Sequence, residues 1–335
     1  MGIDLSIIWF GIIVFSILMY IIMDGFDLGI GIIFPFIKVP AERDMMVNTV
    51  APVWDGNETW LILGGAGLFG AFPLAYAVIA DALSIPLTLM LFGLIFRGVA
   101  FEFRFKATEH HRPFWDKAFI GGSIVATFMQ GICVGTLLGG LSVSGRTFSG
   151  SVMGWLAPFP LFCGVGLVIA YALLGSSWLI MKTQHDLHEK MAKITKPLLT
   201  SLLIVIAIIS VWTPLSNHAI SERWFTTPNI FLFMPVPILV VICAYGIYKA
   251  LRLRADYAPF ILTLCLIFLG FTGLGISIWP NIIPPSISIW QAAAPAQSLG
   301  FMLVGGLLII PVILMYTFWS YYVFRGKISE DEGYH

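Results

Sequence analysis

Residues 23–31, MDGFDLGIG, are the most informative part of the sequence. It closes an almost unbroken apolar run that begins near Leu5, so two carboxylates and three glycines lie where a membrane helix approaches its far end. Asp24 and Asp27 are three residues apart and therefore share one face of that helix. Acids at such a depth are costly unless they meet a partner, water or a proton. The sequence thus predicts a polar cluster inside the membrane part of this protein.

Two later stretches supply further charges at the same depth. Residues 52–60, PVWDGNETW, put Asp55 and Glu58 three residues apart at the start of the next apolar run, and Arg97 closes the third run. We interpret Asp24, Asp27, Asp55 and Glu58, with Arg97 as their charge partner, as a path for protons, because burial and crowding favour proton exchange near neutral pH. The alternative is a set of solvated helix ends and caps, with Asp55 in a local turn.

Composition restricts the class of protein. The chain has 335 residues, of which 59% are hydrophobic and 11% are charged. A soluble globular chain carries about 25% charged residues, so this is an integral membrane protein. Its apolar runs of about 20 residues indicate helices rather than a barrel. The net charge of zero argues against a nucleic-acid partner.

Nine apolar runs predict nine transmembrane helices. The runs are roughly 5–24, with helix continuing to about 36, then 52–71, 75–98, 117–139, 158–181, 198–214, 229–249, 258–279 and 298–323. Asp81 stands alone in the third run. It either begins a helix or makes a buried polar contact, and the first interpretation is favoured. Prolines make the connection between the eighth and ninth runs irregular, and we expect it to fold back onto the helix ends.

The basic residues predict the orientation of the chain. Sixteen of the eighteen Lys and Arg residues lie in the connections on one side, whereas only Arg146 and Arg223 lie on the other. Because basic loops stay in the cytoplasm, the N-terminus is predicted outside and the C-terminus in the cytoplasm.

An internal repeat is suggested by the matching orientation and spacing of the first four and the second four runs. Residues 171–178, YALLGSSW, stand in the second half where residues 24–31 stand in the first. If the two halves are related, the second has lost its carboxylates.

Cysteine and histidine indicate no cofactor on this chain. Cys133, Cys163, Cys243 and Cys265 lie in apolar runs without a Cys-x-x-Cys pair, so we expect packing residues, no disulfide and no iron–sulfur cluster. The six histidines lie in loops or at the terminus, whereas a haem ligand would have to lie within a span. They are His110, His111, His185, His188, His218 and His335. A surface metal site at His185 and His188 is conceivable, but a charged interfacial helix is favoured there.

Three blocks of sequence resemble a known family, subunit II of the cytochrome bd-type quinol oxidases. The blocks are DGFDLG at 24–29, APVWDGNETWL at 51–61 and FRGVAFEFR at 96–104, with a later echo in LMYT at 314–317. The resemblance in length and number of spans covers the whole chain. The short loops look more like the compact, cyanide-insensitive-type branch.

The resemblance implies an architecture and an assembly. Nine helices would form two four-helix bundles and one peripheral helix. We expect residues 1–145 to be the first bundle with the acidic cluster, 146–285 the second, and 286–335 the ninth helix and a cytoplasmic tail. The chain would form an obligate heterodimer with a larger subunit I that carries haems b and d. Small single-helix subunits are conceivable partners, and some members hold a structural quinone in subunit II.

The resemblance also implies an activity and roles for residues. The assembly would be an oxidoreductase of the bacterial cytoplasmic (inner) membrane that oxidises quinol and reduces dioxygen to water. Subunit II would stabilise subunit I and contribute a hydrophilic path from the cytoplasm toward the haem site. Asp27 and Asp55 match that path, with Asp24, Glu58 and Arg97 as neighbours. We expect Asp27 and Asp55 to approach each other from the ends of the first two spans, in the cytoplasmic leaflet. Glu58 stands where some relatives carry a neutral side chain, so its role stays open.

Two other functions compete with this prediction. A proton- or sodium-coupled secondary transporter also combines intramembrane acids, glycine-rich helices and an internal repeat. Here, however, the repeat would be parallel, and the acids lie in one leaflet rather than at the midplane. A purely structural subunit would explain the apolar composition but not the carboxylates.

Overall fold

The computed structural model describes residues 4–328 of the 335-residue chain. Its helices are α1 (Leu5–Ile33), α2 (Pro40–Asn48), α3 (Trp54–Ala71), α4 (Pro73–Ala82), α5 (Ser84–Lys106), α6 (Arg112–Gly139), α7 (Pro158–Lys182), α8 (His185–Ser216), α9 (His218–Phe225), α10 (Asn229–Phe233), α11 (Pro235–Arg252), α12 (Ala258–Ile278), α13 (Ile289–Ala292) and α14 (Ala296–Val323). Two antiparallel hairpins pair β1 (Val143–Ser144) with β2 (Thr147–Phe148) and β3 (Asn281–Ile283) with β4 (Ile287–Ser288). Single 3₁₀ turns occupy Phe34–Phe36 and Gly154–Leu156.

Helices long and apolar enough to cross a membrane make up most of the chain. Within residues 4–328 there are eight of them, and the bent pair α3–α4 raises the number to nine if the pair is one span. The prediction of a multi-pass helical membrane protein is therefore confirmed.

The predicted bounds of the third span, 75–98, are wrong. The helix axis bends by 117° between α3 and α4 at Phe72, and Leu83 interrupts the run again with φ −118° and ψ 19°. The long helix α5 begins only at Ser84 and ends at Lys106, so Arg97 lies inside a helix rather than at its end. Asp81 is exposed on α4, which leaves no buried polar contact for it.

The first helix runs unbroken through the glycine-rich stretch. Asp4 caps it by accepting hydrogen bonds from the backbone N–H groups of Ser6 at 3.0 Å and Ile7 at 3.3 Å. Every residue in 23–33 is buried. Gly29 is required because a Cβ there would stand 1.9 Å from the carbonyl oxygen of Tyr171 on α7. The glycines thus permit close contact between helices rather than breaking α1.

The long helices surround α1 and α7. Helix α1 packs against α3, α6 and α7, whereas α7 packs against α6, α8 and α12. The helices α5 and α6 form one close pair, and α11 and α12 form another. Helix α14 contacts α1 and α3 and leaves most of its surface exposed.

The connection between α12 and α14 folds back onto the helix ends, as the sequence predicts. The backbone N–H of Leu141 donates to the carbonyl oxygen of Pro284 at 3.1 Å, and that of Ala294 donates to Ala71 at 2.8 Å. The indole N–H of Trp290 donates to the carboxylate of Asp4 at 2.7 Å, and this hydrogen bond is the main reason why the pKa of Asp4 lies below its usual value. The connection between α12 and α14 is therefore hydrogen-bonded to the start of α1, the end of α3 and the residues after α6.

Candidate functional site

Arg97 of α5 brings three carboxyl groups together in the interior. Its Nη2 atom forms an ion pair with Asp24 Oδ1 and lies 3.6 Å from Asp27 Oδ2, while Nη1 lies 2.5 Å from Glu58 Oε1. We call these four residues and Asn57 the buried charged cluster. Four of the five predicted site residues are thus brought together, by helices α1, α3 and α5.

Close helix contact and two aromatic rings hold Arg97 in place. Helix α6 passes Arg97 at Gly122, where a Cβ would stand 2.8 Å from the Arg97 backbone nitrogen. The guanidinium carbon lies 5.8 Å from the ring centroid of Trp54 and 5.3 Å from that of Phe101. Such contacts favour a cation that has been removed from water. The sequence pattern gave no sign that Trp54 and Phe101 lie over the guanidinium.

Asn57, which the sequence analysis left without a role, occupies the position expected for Asp55. Its Nδ2 donates to Asp27 Oδ2 at 2.8 Å, and its Oδ1 accepts from the hydroxyl of Tyr321 on α14 at 2.9 Å. Asp55 is exposed in the first turn of α3 and forms no ion pair within residues 4–328, so it does not approach Asp27. It lies one turn before Glu58 on the same helix.

Charge in the cluster is unbalanced. The side chains of Arg97, Asp24 and Asp27 are 0% exposed, whereas that of Glu58 is 25% exposed. Three carboxylates and one guanidinium would leave two uncompensated negative charges, and proton uptake removes the cost of burying them. Asp24 Oδ2 and Asp27 Oδ1 have no hydrogen-bond partner among the described residues. The arrangement can therefore hold and exchange protons.

A line of hydrogen-bonding side chains continues from the cluster into the core. Tyr20 precedes Asp24 by one turn of α1, and its hydroxyl accepts from Gln130 Nε2 of α6 at 2.6 Å. The hydroxyl of Tyr171 on α7 donates to Gln130 Oε1 at 3.2 Å. Neither Tyr20 nor Gln130 was predicted to belong to the site. The four-residue spacing of Tyr20 from Asp24 was a signal for Tyr20, whereas the sequence holds none for Gln130.

A second charged network fastens α2 to the ends of α5 and α6. Asp116 accepts from Arg104 at 2.7 Å and from Arg43 at 2.8 Å. Asp44 forms an ion pair with Arg104, with 2.8 Å between Oδ1 and Nη1, and accepts a hydrogen bond from Arg112 at 3.0 Å. In the sequence these arginines served only to assign the orientation. Because both aspartates are paired with arginine, the network is a structural clamp.

The histidines of the described residues do not fit haem. No group of three or more His, Cys, Asp or Glu side chains that could hold a metal ion occurs in the part of the chain that the structure describes. The five histidines in that part lie at helix ends or in connections, and none is buried. A haem ligand would have to project into the interior. His335 lies outside the described residues.

Comparisons with known proteins agree on one family. A sequence model described as "Cytochrome bd terminal oxidase subunit II" matches residues 5–324. The chain is 29% identical to "Cytochrome bd-I ubiquinol oxidase subunit 2" of Escherichia coli, over 98% of this chain and 96% of the relative. It is 26% identical to "Cytochrome bd ubiquinol oxidase subunit 2" of Bacillus subtilis, over 97% of both chains.

A solved structure shares the fold. It is titled "The structure of bd oxidase from Geobacillus thermodenitrificans", and the match has a TM-score of 0.73 with 17% identity, covering 94% of this chain and 98% of that one. The family match contains all residues of the eight candidate spans, of the bent pair α3–α4 and of the buried charged cluster. The chain belongs to the cytochrome bd terminal oxidase subunit II family.

Proposed function

We propose that this chain is the haem-free subunit II of a quinol:dioxygen oxidoreductase and that its buried charged cluster supplies the cytoplasmic path for protons. The relatives named as ubiquinol oxidase subunits support the reaction and favour it over a secondary transporter. The observation that carries the proton path is the graded exposure of its acids. Asp55 is exposed, Glu58 is 25% exposed, and Asp24 and Asp27 are fully buried.

The chemistry requires such a path. Reduction of one dioxygen to two waters takes four electrons and four protons, and the protons must cross low-dielectric protein to a buried centre. Asp55 would collect protons from water, Glu58 would accept them one turn further along α3, and the inner aspartates would pass them on. Arg97 would orient the three inner carboxyl groups and keep the cluster from becoming wholly neutral.

The decisive experiment is the replacement of titrating groups by amides of the same shape. Asp27→Asn, Asp55→Asn and Glu58→Gln should each leave the assembled oxidase with a normal haem spectrum while slowing quinol-dependent oxygen consumption by about tenfold or more, because a relay carboxyl is lost. Asp81→Asn, which changes an exposed acid on α4, is the matched control and should be silent. If both Asp27→Asn and Asp55→Asn retained full turnover, the proton path would be contradicted and the alternative of solvated helix ends and caps would be favoured.

The architecture we propose is two four-helix bundles with α14 at the periphery. Helices α1, α3, α5 and α6 would form the first within residues 1–145, and α7, α8, α11 and α12 the second within 146–285. The contacts that α1 makes with α3 and α6 are matched by those that α7 makes with α8 and α12, which supports the division. The last unit, 286–335, includes residues beyond the described part.

The partner we propose is a larger subunit I that carries the haems and is stabilised by this chain. The surface histidines support this, because no buried histidine of residues 4–328 is available to ligate iron. Purified alone, the chain should show no haem absorbance, whereas haem should co-purify with the two-subunit complex. A stoichiometric Soret band on the isolated polypeptide would refute the proposal.

We also propose the bacterial cytoplasmic membrane as the location, with the N-terminus outside and the C-terminus in the cytoplasm. The distribution of sixteen basic residues against two supports the orientation. Met1 and His335 lie outside the described residues, but fusions there provide the test. A reporter after His335 should be cytoplasmic and a tag at Met1 accessible from outside. Protease access to the C-terminus from the outer face would contradict the assignment.

A further inference from the structure

An open pocket of about 370 Å³ lies where the connection between α7 and α8 meets the connection between α11 and α12. It is distant in sequence from the buried charged cluster, and neither the proposed reaction nor the proton path uses it. Its walls combine basic and apolar side chains, including His185, Lys193, Lys196, Arg254, Ile180 and Leu251. The pocket is therefore a candidate site for an anionic ligand with an apolar part.

The charge of the pocket is positive. Lys193 and Lys196 are three residues apart on α8 and share one face, and Arg254 faces them from the α11–α12 connection. Glu189 is the acid of the lining, and it lies 3.5 Å from Arg254 with both side chains largely exposed. Three permanent positive charges thus oppose one negative charge. Nearby Asp256 is engaged by Lys327 at 2.8 Å.

The backbone of the pocket is unusual at two positions. His185 and Arg254 both have φ +54°, and within the described residues they are the non-glycine residues with positive φ. One comes from each connection, and both line the pocket. Arg254 follows the C-cap of α11, and the backbone N–H of Ala255 donates to the carbonyl oxygen of Ala250 at 3.0 Å, so its left-handed conformation ends the helix. His185 begins α8. The two positions therefore mark the helix ends that border the pocket.

The surroundings favour a lipid over a soluble anion. Beside Arg254, the side chain of Leu253 is 70% exposed and that of Tyr257 is 59% exposed. Exposed tyrosines at helix ends are typical of the membrane–water interface. Basic pockets between helices at this level bind the headgroups of anionic lipids. An occupant would need a phosphate for the basic side chains and acyl chains for the apolar flank.

We propose that this pocket binds the phosphate of an anionic phospholipid headgroup, of the phosphatidylglycerol type, through Lys193, Lys196 and Arg254. The lipid joins the α7–α8 connection to the α11–α12 connection. This inference stands independently of the proton path, because none of its residues belongs to the buried charged cluster.

The test uses the delipidated oxidase complex titrated with phosphatidylglycerol in detergent, with binding followed by native mass spectrometry and by the shift in melting temperature. Lys193→Ser/Lys196→Ser/Arg254→Ser should weaken phosphatidylglycerol binding by about tenfold or more. A matched variant, Lys38→Ser/Lys106→Ser/Lys117→Ser, removes three exposed charges that do not line the pocket and should bind like the parent. Turnover of both variants reports that the proteins are folded.

Three outcomes would overturn the proposal. The first is equal phosphatidylglycerol binding by the pocket variant and the parent, and the second is an equal loss in the control variant. The third is displacement of the lipid by inorganic phosphate at equimolar concentration, which would indicate a site for soluble anions. The expected result is that the pocket variant loses phosphatidylglycerol binding, while its binding of phosphatidylcholine, the reference lipid, is retained.

Discussion

Two buried stretches that pack against each other differ in the polar side chains they carry and in how those side chains are hydrogen-bonded. Residues 24–31 of α1 meet residues 171–178 of α7, and a Cβ on Gly175 would stand 2.4 Å from the backbone carbon of Gly29. Both stretches are almost fully buried. Their polar side chains are nevertheless different in kind, because the first carries carboxylates and the second carries hydroxyls.

The hydroxyls of the second stretch are all satisfied by the helix itself or its neighbour. Ser176 and Ser177 donate to the carbonyl oxygens of Leu173 and Leu174, both at 3.0 Å, and Thr195 of α8 lies 3.0 Å from Ser176. Among residues 4–328, one oxygen atom of each α1 carboxylate has no hydrogen-bond partner. A satisfied hydroxyl fixes a structure, whereas a carboxyl with an unpartnered oxygen is available for proton exchange. Under the proposed function, the first stretch therefore carries the chemistry and the second serves packing.

The largest expected effect comes from removing the charge that compensates the first stretch. Arg97→Ala should lower stability by about 3–5 kcal/mol, because it leaves three carboxyl groups buried without a guanidinium. The measurement is the yield and melting temperature of the assembled complex. Arg146→Ala, an exposed arginine between β1 and β2, is the control. If the complex with Arg97→Ala assembled and melted like the parent, Arg97 would not be the charge that compensates the carboxylates of the first stretch.

The contact between the two stretches can be tested next. Gly29→Ala should cost about 1–3 kcal/mol, because the new Cβ would collide with the Tyr171 carbonyl oxygen and force α1 and α7 apart. The control is Gly121→Ala on α6, where nothing lies within 4 Å of the new Cβ and about 1 kcal/mol of helix propensity is gained. Equal melting temperatures for the two variants would show that the helices do not cross as closely as described.

A smaller change addresses the hydroxyls of the second half. Thr195→Val removes the donor to the Met191 carbonyl oxygen at 2.8 Å and the contact with Ser176. We expect a loss of about 1 kcal/mol in stability and no change in turnover per haem. Scanning calorimetry and oxygen consumption measure the two quantities. A variant of normal stability but reduced turnover would give the second half a chemical role.

The smallest expected effect concerns Asp4 at the start of α1. The hydrogen bond from Trp290 is the largest cause that lowers the pKa of Asp4 in the folded chain, so the link stabilises the fold above the unfolded pKa and is lost as the pH falls through the folded pKa. The protection factors of the first-turn amides of α1, which are corrected for the intrinsic pH dependence of exchange, should be steady at neutral pH and decrease below about pH 4. Asp4→Asn should abolish that pH dependence, and an unchanged dependence would exclude Asp4 as its source.

The sequence was sufficient for the parts of the fold that depend on composition and charge. Apolar runs predicted the spans, and the isolated charges predicted that Asp24, Asp27, Glu58 and Arg97 meet. Asn57 escaped notice because a neutral amide carries no cost that marks it as unusual in a helix. Asp55 was placed too near Asp27 because its position on the outer face of α3 depends on the rotation of that helix, which packing decides.

Two other features concern the bounds of α5. The break at Leu83 is followed by Ser84 and Pro86, which are typical of a helix start, but the overall hydrophobicity of the run outweighed this signal and a continuous span was predicted. Arg104 looked like a loop residue, yet α5 extends to Lys106 and carries Arg104 to a buried position beside Asp116. The greater length of α5 thus moved Arg104 from the predicted surface to the interior.

The hydrogen bond from Tyr321 to Asn57 has a consequence for biosynthesis. Tyr321 lies on the last helix, and Lys182 holds that helix's end by donating to the carbonyl oxygen of Phe324 at 2.6 Å. Chains emerge from the ribosome N-terminus first, so Asp27 and Asn57 are inserted long before their last partner is made. A truncated polypeptide could thread most of its helices into the membrane and still lack the donor that completes the cluster. The hydrogen-bond network of the cluster can therefore be completed only after the last helix has been synthesised.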